Sequence, residues 1–275
     1  MKAILTLLIT LALGFAPAAE IHSVIIDDFT GPELTANHGI VRTTPEDATA
    51  LIKAFVGHDF SLGYTAIAES ADAQPTVEIK LTAFAIQPPR PVENASTLDL
   101  RTLTEASEAY FAEKGKFEEA RGVWLASART EAEAFKRNVI IEQMRTGAVF
   151  DRNVTSLGEK YRRSDCAIAL VTAARRLSER DGIKLLILNT DCIDSPYGKP
   201  SRTIPFTAEE IPTDIVLVFV NTSHRPENSP LFSGLKNIVF TAESLQAAAT
   251  LIAAGAKDDW ASFQSPALFT HPASR

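Results

Sequence analysis

The sequence predicts one α/β domain with a doubly wound, mostly parallel sheet and helices on both faces. Two stretches in the second half of the chain, Ile183–Asn189 and Asp214–Asn221, are continuously apolar, as strands buried on both faces of a parallel sheet are. Segments with helical periodicity alternate with these strands. The 275 residues are 45% hydrophobic, which is enough for one sizeable core. Nothing in the pattern indicates a second core.

The first half of this domain is predicted to be rich in strands. Ser23–Asp28 is a short β-branched run that ends in acids and predicts a buried strand. Thr44 followed by Pro45 predicts a helix start, and Gly57 predicts its end. Two further strands are expected to form an antiparallel pair, at Phe60–Ala68 and Thr76–Ile86.

A Pro-rich connector, Gln87–Val92, leads into a helical insertion. Asp99–Gly147 is rich in Ala, Glu, Arg and Lys, which favour helix, and a break is predicted at Lys114–Lys116. The insertion is therefore expected to be two helices or one interrupted helix. It carries an apolar stripe that either packs on the domain or binds a partner, at Trp124, Leu125, Ala128, Phe135, Val139 and Met144.

The remaining elements alternate between helix and strand. Ser164 and Asp165 are predicted to cap a helix that runs to Ser178. After the two apolar strands, the pattern predicts a short helical piece, a strand and a last helix, at Leu231–Leu235, Asn237–Thr241 and Glu243–Ala254. The domain is thus expected to span residues 20–256, and the tail, residues 257–275, to wrap the surface or fray.

The first 18 residues have the features of a secretory signal peptide. Lys2 supplies a positive start, Ala3–Phe15 is an apolar run, and Ala16–Ala18 is a small-x-small cleavage site. The run is shorter than a membrane-spanning helix requires. We therefore expect an exported protein, periplasmic or secreted, with no membrane span in the mature chain.

The composition excludes several functional classes. The formal net charge is −7, and the basic residues are scattered, which disfavours nucleic acid as a partner. Two cysteines are too few for a disulfide-rich scaffold or a four-cysteine zinc site. The five histidines are widely spread, and the chain has no Gly-x-Ser-x-Gly, Walker or His-Glu-x-x-His motif.

Oxygen-bearing side chains are predicted at three places around one edge of the sheet. Asp28–Pro32 follows the first strand, Ser164 and Asp165 open a helix, and Thr190 and Asp191 follow a central strand. Ligands in such folds bind beyond the carboxyl ends of the strands. Carboxylate and hydroxyl oxygens suit Mg²⁺ or Ca²⁺, so these residues predict a cation site, although capping of turns and helices is the alternative reading.

The order of these segments resembles the von Willebrand factor type A domain, a Rossmann-like fold. The similar segments are Asp28–Gly31 after the first strand, the helix that begins at Ser164–Cys166, and Lys184–Asp194. The resemblance covers essentially the whole mature chain. It implies a non-enzymatic module whose divalent cation accepts a carboxylate from a partner protein. By position, the implied ligands are Asp28, Thr30, Ser164 and Asp191.

One residue departs from the family pattern. Pro32 stands where the family has a second loop serine, and proline has no side-chain oxygen, so one usual ligand is missing. Mg²⁺ can fill a vacant position with water, and Ca²⁺ accepts irregular oxygen shells. The alternative is a metal-free structural or assembly protein that keeps the fold and has lost the ion.

The two cysteines follow the second and third loops directly. In the predicted topology Cys166 and Cys192 lie near the same rim of the sheet. In an exported protein we expect a disulfide between them, with two buried thiols as the alternative.

A third functional reading is enzymatic. Asp27 and Asp28 could be the acid pair of a phosphotransferase, and the string Asp-Asp-Phe-Thr-Gly is similar to the opening of four-carbon acid sugar kinases. No phosphate-binding glycine loop accompanies this string, so it ranks below the two binding-protein readings.

Overall fold

The fold is described from a computed structural model of the chain. The described residues are 20–28, 43–55, 58–67, 77–84, 86, 88–92, 99–157, 165–190, 200, 202–220 and 229–255. The predicted signal peptide, the C-terminal tail and four of the predicted site residues, Thr30, Ser164, Asp191 and Cys192, lie outside these ranges.

A six-stranded sheet forms the centre of the domain. Its strands, in chain order, are Ile21–Asp28 (β1), Phe60–Ile67 (β2), Val77–Leu81 (β3), Ile183–Asn189 (β4), Ile215–Val220 (β5) and Val239–Ala242 (β6). In space the order is β3-β2-β1-β4-β5-β6. Every neighbouring pair is parallel except β2 with β3, which is antiparallel as predicted. The α/β class with a mostly parallel sheet is confirmed.

Helices cover both faces of this sheet. In the described part of the chain they are Pro45–Phe55 (α1), Leu100–Leu157 (α2), Cys166–Ser178 (α3) and Leu245–Gly255 (α4), and a 3₁₀ turn lies at Pro230–Phe232. On one face, α1, α4 and two residues of α2, Phe135 and Val139, pack on alternate strand residues such as Ile25 and Ile187. On the other face α3 packs on Val24 and Leu186. No helix in the described part of the chain is both long and apolar enough to cross a membrane.

The start of α1 shows how local sequence sets an element boundary. Thr44 Oγ1 accepts a hydrogen bond from the Asp47 amide at 3.1 Å, and the Thr44 amide donates to Asp47 Oδ2 at 2.8 Å. This reciprocal pair satisfies two amides at the helix terminus, and Pro45 in the first turn lacks the amide that would need a partner. The helix start predicted at Thr44 and Pro45 is therefore confirmed.

The insertion is a single helix of 58 residues, so the predicted break at Lys114–Lys116 is wrong. Gly115 is helical, and a Cβ added to it would meet no neighbouring atom within 4 Å. One exposed glycine costs a helix only about 1 kcal/mol, which the surrounding good helix formers offset. At 1.5 Å per residue α2 is about 87 Å long, whereas an eight-residue strand spans about 26 Å. The helix therefore extends beyond the sheet.

The predicted apolar stripe of α2 divides into two kinds of position. Phe135 and Val139 are buried in the core, as packing on the domain requires. Leu125 and Met144 are 47% and 70% exposed. Trp124 is half-buried, and its Nε1 donates to the Thr82 carbonyl oxygen at 2.9 Å. β3 ends at Leu81, earlier than predicted, and the residues after it contact α2.

Candidate functional site

The carboxyl ends of β1 and β4 meet at the centre of the sheet. β1 has β2 on one side and β4 on the other, so this is the point where the order of the strands reverses. Ligands of open α/β sheets bind at such a point. Asp27 pairs in register with Asn189, and both strands end here. The two strand ends therefore define the candidate site.

Asp28 lies at the carboxyl end of β1, on the face of the sheet that α3 covers. Its side chain is 3% exposed and accepts a hydrogen bond from Thr190 Oγ1 at 2.9 Å. The Thr190 hydroxyl also lies 3.7 Å from Cys166 Sγ, at the first residue of α3. Thr190 thus connects the end of β1, the end of β4 and the start of α3. These are the three segments that border the predicted loops.

Asp165 precedes α3 and is buried. It occupies the N-cap position, but its carboxylate accepts no hydrogen bond from the amides of the first helical turn. Its backbone carbonyl oxygen accepts the amide of Ala169 at 3.2 Å, the first hydrogen bond of the helix. Asp165 is therefore the N-cap residue, as predicted, but without a side-chain cap; Ser164, the other residue of the predicted pair, lies outside the described ranges.

The predicted site residues are only partly within the described ranges. Asp28 and Cys166 are described and lie at the same edge. Thr30, Ser164 and Asp191 are outside those ranges, as is Pro32, so the full ligand set remains a prediction. The disulfide between Cys166 and Cys192 also remains a prediction, because Cys192 is outside them too.

Asp27 lies on the opposite face, toward α1 and α2, because successive side chains of a strand alternate. Its fully buried carboxylate accepts hydrogen bonds from Tyr64 OH at 2.9 Å, from the Thr43 amide at 3.1 Å and from Asn189 Nδ2. Gln143 of α2 lies beside this cluster, with its Nε2 3.4 Å from Asp27 Oδ2 and 2.6 Å from the Thr43 carbonyl oxygen.

Burial raises the pKa of Asp27 to about 6, and the hydrogen bonds from its neighbours limit this rise. Burial, together with the nearby Asp27 charge, also raises the pKa of Tyr64. The phenol therefore stays protonated and donates a hydrogen bond to Asp27. The cluster is therefore a buried carboxylate surrounded by donors.

The positions of Asp27 and Asp28 bear on the enzymatic reading. The two carboxylates point to opposite faces of the sheet and have different partners, Asn189 and Thr190. The two carboxylates therefore do not bind a shared partner within the described residues, and the enzymatic reading remains a prediction.

Sequence reasoning did not identify the partners of Asp27. Asn189 is a polar residue that follows four consecutive apolar residues of β4, and this signal could have been matched with the extra acid at the end of β1. Gln143 and Tyr64 carry no comparable signal in the sequence. Gln143 is one of many polar residues in α2, and Tyr64 lies in the middle of β2 rather than at its end. Only the fold brings them to Asp27.

Two of the groups at this site suit a hard cation. Asp28 offers carboxylate oxygens and Thr190 a hydroxyl oxygen, the ligands that Mg²⁺ and Ca²⁺ prefer, whereas the neighbouring Cys166 thiol is a soft ligand. Within the described ranges, no three His, Cys, Asp or Glu side chains cluster as a metal site. Three of the four predicted ligands lie outside those ranges, and Asp28 is the one predicted ligand within them.

Comparison with known proteins provides no further assignment. No protein-family model, no curated protein and no solved structure matches this chain.

Proposed function

We propose that the protein is an exported binding module, similar to the von Willebrand factor type A domain, that engages a partner protein through a divalent cation. The observation that carries this proposal is the position of Thr190. Its hydroxyl donates to Asp28 and contacts Cys166, so the residues next to all three predicted loops lie at one edge of the sheet.

The proposed ligands are Asp28, Thr30, Ser164 and Asp191. Asp28 is supported by its burial at the end of β1, and Asp191 by following Thr190 directly. Ser164 is supported by preceding Asp165 at the start of α3. A bound Mg²⁺ or Ca²⁺ would accept a carboxylate oxygen from the partner at a coordination position that the protein leaves open.

The topology supports the location of this site. The order β3-β2-β1-β4-β5-β6 reverses between β1 and β4, and the carboxyl ends of those strands carry Asp28 and Thr190. A ligand bound beyond them would contact both halves of the sheet. The resemblance to the type A family implies a site in this same place.

Calorimetric titration with Mg²⁺, Mn²⁺ and Ca²⁺ tests the proposal. We expect the wild-type protein to bind at least one of these cations, and Asp28→Asn to weaken binding by more than about tenfold. The matched control is Asp181→Asn, an exposed acid just before β4 at the opposite edge of the sheet, which should bind like wild type. Absence of binding heat with all three cations would exclude the cation site and leave the metal-free assembly protein as the better account.

A further inference from the structure

We propose that Asp27 is the positioning residue of the cation site, an inference that rests on the proposed function. Asp27 lies on the face of the sheet opposite Asp28, so it does not touch a cation bound at Asp28. It acts by holding the end of β1, which carries the proposed ligand Asp28, against the end of β4.

The donors around Asp27 come from separate parts of the chain. Tyr64 belongs to β2, Asn189 ends β4, and Thr43 precedes α1. A fourth donor, Gln143, approaches from α2. A buried carboxylate that loses such donors leaves each of them unsatisfied, which is costly in a dry interior. The segments are therefore held to Asp27 together.

Two bridges join β1 to β4 at successive residues. Asp27 accepts a hydrogen bond from Asn189 on one face, and Asp28 accepts one from Thr190 on the other. Because Thr190 follows Asn189 directly, the first bridge fixes the backbone from which the second is made. The Asn189 bond therefore supports the Thr190 bond that holds the proposed ligand Asp28.

The Thr43 bond attaches the start of α1 to the same carboxylate. The Thr43 amide donates to Asp27 Oδ2 at 3.1 Å, so the residue before Thr44 is held at the end of β1. Gln143 of α2 supports this attachment by donating to the Thr43 carbonyl oxygen at 2.6 Å. The long helix thereby helps to hold Thr43 against Asp27.

The test compares four variants in protein that is verified as folded. Asp27→Ala removes the acceptor, and Asn189→Ala removes only the bridge to β4. Asp27→Asn is the rescue variant, because its amide oxygen still accepts from Thr43 and Tyr64, and its amide group can donate to Asn189 in a flipped orientation. Asp214→Ala is the matched control, since it breaks the bond to Lys184 near the start of β4, at the opposite edge of the sheet.

Mn²⁺ affinity is the first measurement, made by calorimetry well below each unfolding temperature. We expect Asp27→Ala and Asn189→Ala to weaken binding about 10- to 100-fold, as loss of a supporting hydrogen bond at a metal site does. Asp27→Asn should recover most of the affinity, and Asp214→Ala should match wild type. If Asp27→Ala does not fold, the Mn²⁺ affinity of Asn189→Ala is compared with that of wild type instead. A folded Asp27→Ala or Asn189→Ala variant that binds Mn²⁺ like wild type overturns the positioning role.

Amide hydrogen exchange without metal, in EDTA, is the second measurement. We expect Asp27→Ala to exchange faster than wild type around Thr43 and Asn189, and Asp214→Ala to be unchanged there. This measurement separates the two proposals. If wild type binds no cation, the proposed function fails and the positioning role fails with it. If wild type binds a cation and exchange around Thr43 and Asn189 is unchanged in Asp27→Ala, only the positioning role fails.

Discussion

Thr190 donates its hydroxyl hydrogen to the carboxylate of Asp28 across 2.9 Å, and this bond joins the ends of two neighbouring parallel strands. Both side chains are buried. A charged acceptor in such a setting depends strongly on its donors. The bond therefore supports the local fold and holds the proposed ligand Asp28 in place.

Removing this hydroxyl should destabilise the protein. Thr190→Val keeps the shape of the side chain and leaves Asp28 without one donor, which we expect to lower the free energy of unfolding by about 1–3 kcal/mol. Thr190→Ser keeps the hydroxyl and should lose less. Urea unfolding of the two variants measures the difference. Equal stability of the Val and Ser variants would show that the bond contributes nothing.

The Asp27 carboxyl should make stability depend on pH. Its pKa rises from 3.8 to about 6 on folding, so the folded state favours the protonated form. The stabilising contribution is complete below the unfolded pKa and is lost as the pH rises through the folded pKa. The stability of wild type relative to Asp27→Asn should therefore fall between about pH 4 and pH 7, by roughly 3 kcal/mol for a shift of this size.

Urea unfolding of both proteins in EDTA, at several pH values, measures this difference. His22 contributes with the opposite sign, since burial lowers its pKa and the stability this gives is lost as the pH falls below the ordinary histidine value of 6.5. Its contribution is common to both proteins and cancels in the comparison. Parallel stability curves for the two proteins would contradict the assignment to Asp27.

The continuity of α2 predicts the effect of replacing a glycine. Gly115→Ala should raise the free energy of unfolding by about 0.5–1 kcal/mol, because the position is helical and open. Gly182→Ala should do the reverse, since Gly182 has a φ of 90° and an added Cβ would collide with the Glu20 carbonyl oxygen. Thermal unfolding distinguishes the two. A destabilised Gly115→Ala variant would indicate that α2 breaks at this position after all.

Tryptophan fluorescence tests how the segment after β3 packs on α2. The ring of Trp124 lies 5.9 Å from that of Phe84, which also contacts Phe117. Trp260, the other of the two tryptophans, is replaced by Phe so that only Trp124 emits. In this background Phe84→Ala should expose Trp124 and shift its emission to longer wavelength. Phe111→Ala is the control, because Phe111 is 66% exposed on the same helix. Identical spectra for the Phe84→Ala and Phe111→Ala variants would contradict this packing.

The strands could be predicted from the sequence because burial on both faces leaves a continuous apolar pattern. β4 begins and ends where the pattern predicts. β1 begins two residues before its predicted start, and β2 ends one residue before its predicted end. β3 is shorter than its alternating pattern, because the chain turns toward α2 after Leu81. The break in α2 was expected from Gly115, but one glycine does not outweigh strong helix formers on both sides.

The candidate site could be predicted only in part. Asp28 was identified because an acid at the end of a buried strand is a recognisable signal. The Asp27 network was not, because Asn189 is 162 positions away in sequence and Gln143 is 116 positions away. Hydrogen bonds over such separations depend on the order of the strands and on the path of α2.

Anomalous diffraction from a crystal grown with Mn²⁺, collected at the manganese absorption edge, tests whether Asp28 binds a cation. We expect an anomalous difference peak within bonding distance of an Asp28 carboxylate oxygen, on the α3 face of the sheet. The Asp28→Asn variant should lose this peak under the same conditions. A wild-type crystal with no peak at Asp28, or with manganese bound only elsewhere, would show that Asp28 is not a ligand.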